Sequence, residues 1–78
     1  MPITFTDSAS RHGVSREDAI HAMLNAVEIQ PATGRYGDNA LYFLGPAHRQ
    51  TNRLIEVVAS QQGPNITIFH AMDTGRRA

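Results

Sequence analysis

Cysteine is absent from the chain, which excludes disulfides and thiolate metal sites and gives no sign of an oxidising compartment. Lysine is absent as well, so all seven basic residues are arginine. Net charge is also missing: seven basic residues balance seven acidic ones, which argues against bulk electrostatic attraction to nucleic acid. No apolar stretch approaches the ~20 residues of a membrane span. The opening MPITFTDSAS has neither a basic start nor an apolar core, so nothing there reads as a targeting segment. The expectation is a soluble cytoplasmic protein with no membrane association. HExxH, paired His/Cys spacing, a carboxylate cluster and a Gly-rich phosphate loop are all missing, so neither metal nor cofactor is expected.

What is there is unevenly placed. Acids gather in the first half as Asp7, Glu17, Asp18, Glu28 and Asp38. From residue 47 onward, four arginines and two histidines face only Glu56 and Asp73, which favours the C-terminal half as the anion-facing part. An all-arginine set suits phosphate, because the guanidinium is a planar fork; compositional bias explains the missing lysines equally well. With 78 residues the chain makes one domain, over residues 1–78. A chain of this size buries only about 60% of its unfolded surface, so a partner or a second copy is expected to add stability.

Along the chain, Thr6 and Asp7 can cap a helical turn over residues 8–11, ended by Gly13. Ser15 followed by Asp18 forms an approximate capping box. Ala19, Ile20, Met23, Leu24 and Val27 then fall at helical spacing, so a helix is expected over residues 15–25. Residues 27–29 can begin a strand stopped by Pro31, and QPATGRYGDN reads as a loop. Residues 40–44 form a short strand ended by Gly45-Pro46. Residues 53–60 alternate, with Ile55, Val57 and Ala59 on one side, Glu56 and Ser60 on the other, and Leu54 and Val58 adding apolar area to that second side. QQGPN is a hairpin loop, and residues 66–72 form the last strand. The fold class expected is α+β: one main helix plus a short N-terminal helical turn on one face of a three- to four-stranded antiparallel sheet. A single helix covers one sheet face, leaving Leu54, Val58 and Phe69 as an open apolar face for a partner.

The ordered segments resemble a known family. RHGVSREDA (11–19) is similar to the basic-His-Gly-Val-Ser-x-x-x-Ala opening of BrnT-type toxins, the ribonuclease halves of type II toxin–antitoxin pairs. LYFLG (41–45), RLIEVV (53–58) and ITIFHAM (66–72) follow in the family's order. The resemblance spans residues 5–77 and implies a RelE/ParE-like fold, RNA cleavage, and neutralisation by an antitoxin with a ribbon-helix-helix portion. Where the family's last strand offers arginines in a pattern like Ile-Arg-Ile-x-Ser-Ala-Arg, this chain has Thr67, His70 and Met72, and the helix that follows in the family has no counterpart before Ala78.

Metal-independent RNA cleavage needs a base for the ribose 2′-OH, a cation at phosphorus and an acid for the leaving oxygen. Histidine suits the first and third roles and arginine the second. His70 is one acid–base candidate; by alternation it shares the helix-facing side with Ile66, Ile68 and Met72, where it can equally be a half-buried structural histidine. His12 is the other, on the corner of the family motif, or else a packing residue that fixes the turn. Arg49, Arg53, Arg76 and Arg77 can converge into a phosphate-contacting rim or remain solvated charge. His21 reads as an exposed helical residue. The expected function is the toxin component of a type II pair, an RNA-cleaving or RNA-binding protein partnered by an antitoxin or by itself through the open face. The alternative is a non-enzymatic interaction module that keeps the fold without ribonuclease activity.

Overall fold

The computed structural model describes residues 2–32 and 39–78. Tyr36 and Asp38, and most of the expected QPATGRYGDN loop, lie outside the described residues. Strand β1 (Ile3–Phe5) leads into helix α1 (Asp7–Ser10) and helix α2 (Arg16–Leu24). Strands β2 (Glu28–Pro31), β3 (Ala40–Pro46), β4 (Arg53–Gln62) and β5 (Asn65–Arg77) follow. They form one five-stranded sheet in the order β1-β5-β4-β3-β2.

The expected three- to four-stranded antiparallel sheet is therefore wrong in both number and sense. β2 through β5 pair as antiparallel neighbours, but β1 lies parallel to β5, with Ile3 opposite Ile66 and Phe5 opposite Ile68. Three alternating residues carry too little periodicity to announce a strand, and their partner lies some sixty positions away. Backbone bonds seal the pairing at both ends: Ile66 N–H donates to Pro2 O (3.0 Å) and Thr6 N–H to Ile68 O (3.1 Å). β2 reaches Pro31 because it is an edge strand, where a missing N–H costs no ladder bond.

Both helix starts are capped as the sequence suggests. Thr6 Oγ1 accepts from Ala9 N–H, and Ser15 Oγ accepts from Asp18 N–H at 3.1 Å. Gly13 takes φ +79°, closing the turn between the helices. Ser15→Ala is expected to cost about 1 kcal/mol by leaving that helical N–H without its partner. Urea denaturation checks it: the midpoint should fall while the slope stays constant.

The packing face of α2 departs from the expected stripe. Ala19, Ala22 and Met23 are buried, while Leu24 and Val27 are 66% and 64% exposed. The reason is close approach: a Cβ placed on Gly45 would sit 2.2 Å from Ala22 O. Gly45 is thus not a strand terminator; β3 runs through it, and the helix rests on the strand there. The residues at that approach, Ala22 and Ala26, are small.

The core lies between the helices and one sheet face, where Ala9, Ala19, Ala22 and Met23 meet Ile55, Val57, Ala59, Ile68 and Ala71. The β4 alternation is as expected, with Glu56 and Ser60 on the far side. Leu54 and Val58 also lie there, yet each is only 4% exposed. In register, Tyr42 and His70 flank Val58, and Leu44 and Met72 flank Glu56, so that face is closed by its own side chains. Among the described residues, the exposed large apolar side chains are Leu24, Val27, Ile29 and Leu41, beside the β2 edge.

Candidate acid–base site

A bulge in β5 decides where His70 points. Val58 pairs with His70 while Ala59 pairs with Ile68, leaving Phe69 as the extra residue. Ile68 and Ala71 are fully buried in the helix-side core. His70 and Met72 instead align with Val58 and Glu56 on the far face. Simple alternation from Ile66 and Ile68 puts His70 on the helix side; an inserted residue reverses that phase.

On that face His70 Nε2 lies 2.7 Å from Glu56 Oε2, with the two side chains 16% and 23% exposed. A carboxylate only accepts, so Nε2 carries the proton toward Glu56 and Nδ1 is left for other work. His12, on the corner before Gly13, brings its ring edge-on to His70, with centroids 5.3 Å apart and planes at 71°. α1 makes this possible because it packs along β5 just beyond the end of β1. The two histidines singled out in the sequence therefore meet, although 57 positions separate them.

Tyr42 extends the cluster. Its hydroxyl hydrogen-bonds Glu56, and its phenol titrates above the ordinary tyrosine value. Burial is the main cause, then the negative charges of Glu56 and Glu28, with Arg76 acting in the opposite direction. A raised native pKa stabilises the fold fully below the unfolded value near 10, and that contribution is lost as pH rises through the native pKa. In a Tyr36→Phe background, the tyrosinate absorbance should show a midpoint above 10. Glu56→Gln should move it back down; an unmoved midpoint would remove Glu56 from the phenol's surroundings.

Glu56 and Tyr42 escaped the sequence reading. Between Arg53 and Asp73, Glu56 is the sole Asp, Glu or Arg, set among Leu54, Ile55, Val57 and Val58. A lone carboxylate in so apolar a strand needs a partner, and that was the available signal.

The arginines separate into two groups. Arg53 and Arg77 are register partners, and Arg76 lies beside them. Arg53 is ion-paired with Asp73, and Arg77 Nη1 donates to Asn52 Oδ1 at 3.1 Å. The Asp73 carboxyl is held below the usual range, first by the Gly75 N–H at 2.8 Å and then by Arg53, against some opposing desolvation. Arg49 instead lies on the turn formed by residues 47–52, facing α2 across a groove. His21, expected to be exposed, is half-buried with Nδ1 3.0 Å from Pro46 O. Among the described residues, no three His, Asp or Glu side chains come together to hold a metal ion, and no helix is long and apolar enough to cross a membrane.

Comparison of the chain with protein-family models, with curated proteins and with solved structures finds no match.

Proposed function

We propose that this chain is an RNA-cleaving protein of the BrnT-like toxin type, acting by metal-independent acid–base chemistry. The observation that carries the reading is the convergence of His12 on His70, with Glu56 bonded to the His70 ring. In this scheme His70 Nδ1 takes the ribose 2′-OH proton, and Glu56 stabilises the imidazolium that forms. The 2′-oxygen bonds to phosphorus, and the P–O5′ bond breaks. A protonated His12 then delivers its proton to the leaving 5′-oxygen. The products are a 2′,3′-cyclic phosphate and a free 5′-hydroxyl. Arg76, whose charge reaches Tyr42, is the cation assigned to the phosphate. Arg49, Arg53 and Arg77 extend the contact to flanking phosphates.

The partner in this reading is a ribbon-helix-helix antitoxin. Leu54 and Val58 are closed off within the chain, so the surface it covers moves from the far sheet face to Leu24, Ile29 and Leu41. The second reading, a non-enzymatic interaction module, draws on a separate observation: Arg53 and Arg77 already hold Asp73 and Asn52.

Purified protein incubated with RNA and EDTA should give fragments ending in a 2′,3′-cyclic phosphate. Toxicity on expression, relieved by an adjacent ribbon-helix-helix gene product, would add the toxin–antitoxin part. Intact RNA after incubation with folded protein would defeat the enzyme reading and leave the module.

A further inference from the structure

α2 and the turn of residues 47–52 stand opposite each other across a surface groove. Glu17, Asp18 and His21 line the helix wall; His48, Arg49 and Gln50 line the turn wall. Backbone contacts fix the tautomer of each neutral imidazole. The Pro46 carbonyl can only accept, so His21 Nδ1 carries a hydrogen and the neutral ring keeps its lone pair on Nε2. Gln50 N–H donates to His48 Nδ1 at 3.2 Å, so His48 carries its hydrogen on Nε2. The helix wall therefore offers acceptors: two carboxylates and an imidazole lone pair. The turn wall offers donors, an imidazole N–H and a guanidinium, beside the Gln50 side-chain amide, which can donate or accept.

This segregation matches one nucleobase. Guanine has two adjacent donors, N1–H and N2–H₂, along one edge and two adjacent acceptors, O6 and N7, along the other. Adenine and cytosine each carry one exocyclic amine beside a ring acceptor, and uracil a single N3–H between two carbonyls, so none offers two adjacent donors to the carboxylates. The groove also continues toward the proposed chemistry. Asp18, Ala47 and His48 line a second cavity as well, one that reaches His12, Arg53 and Asp73. A base held between α2 and the turn would thus leave its ribose and phosphate toward His12.

We infer that this groove is a guanine-reading subsite, selecting single-stranded RNA at a guanine beside the His12–His70 centre. The inference rests on the RNA-cleaving reading, and its test is independent of cleavage. The full chain is titrated with GMP, AMP, CMP and UMP while the imidazole and backbone amide resonances are followed by NMR. GMP should bind about tenfold more tightly than the other three, shifting His21, His48 and the 47–52 amides. A Glu17→Gln/Asp18→Asn double replacement should reduce GMP to the level of AMP. Arg49→Ala should weaken GMP from the other wall. His70→Gln should leave the preference intact. Equal binding of the four nucleotides, no binding, or a preference that survives the double replacement would overturn the subsite. GMP selectivity with uncut RNA would sink the nuclease reading alone; cleavage without GMP selectivity would sink the subsite alone.

Discussion

Gly45→Ala is expected to remove about 3 kcal/mol of stability, the top of the usual overpacking range. The added methyl would stand 2.2 Å from Ala22 O, 3.0 Å from Ala22 C and 3.1 Å from Ala26 Cα. All three are backbone atoms, so no side-chain rotation relieves the clash; α2 has to lift from β3. That separation opens the contact through which Ala19, Ala22 and Met23 meet Ile55, Val57 and Ala59. Small domains often hold only 5–15 kcal/mol in total, and this one has a thin core to draw on. Thermal melting followed by far-UV circular dichroism should show a large fall in midpoint or loss of the cooperative transition. Gly63→Asn is the control. Gly63 has φ +60° with nothing near its missing Cβ, and asparagine tolerates that conformation. It should melt close to the wild type. A Gly45→Ala protein that does the same would mean α2 is not seated on β3 as described.

What the sequence revealed was local. Ser15 and Asn25 bracket α2, because a capping hydroxyl is legible from neighbours a few residues away. The β4 faces were legible because ten residues sample a two-residue period several times. The failures share a cause: each depends on a distant partner. β1 becomes a strand because Ile66–Ile68 accept it in parallel. Gly45 looked like a strand end because glycine and proline punctuate chains; its role is to admit Ala22, 23 positions earlier. The apolar stripe through Leu24 and Val27 assumed an ordinary helix–sheet distance, whereas the alanine face gives a closer one.

The candidate site was half legible for the same reason. His12 and His70 were visible as titratable residues in suggestive places, but their meeting depends on the parallel β1–β5 pairing, which carries α1 along β5. The bulge at Phe69 is the less predictable element. It moves His70 away from the helix-side core and sets it next to Glu56, and alternation alone gives the opposite answer. Had β5 stayed regular, the imidazole would face Ile55 and Val57 and be without its carboxylate.

That carboxylate makes the strongest functional test, since His70→Gln separates structure from chemistry. The glutamine amide can still donate to Glu56 across the 2.7 Å position, so the half-buried carboxylate keeps a partner and the fold is preserved. Glutamine has no basic nitrogen to accept the 2′-OH proton. RNA cleavage should therefore fall about 10²–10⁴-fold, the usual worth of a general acid–base group, while the melting midpoint changes little. Glu56→Gln should retain a hydrogen bond to the ring but lose the charge that stabilises the imidazolium. Its expected signature is a smaller loss of rate than that of His70→Gln, with the melting midpoint little changed. In the proposed reaction Glu56 works through His70, so the double variant should be no slower than His70→Gln alone. Fully additive losses would show that Glu56 acts elsewhere, and undiminished cleavage by His70→Gln would take the imidazole out of the reaction. His12→Gln, exposed and outside the Glu56 bond, removes the proposed acid and should slow departure of the 5′-oxygen without changing the melting midpoint. A substrate whose leaving oxygen departs without a proton should therefore recover the His12→Gln loss and leave the His70→Gln loss in place, which a purely structural role for either ring would not produce.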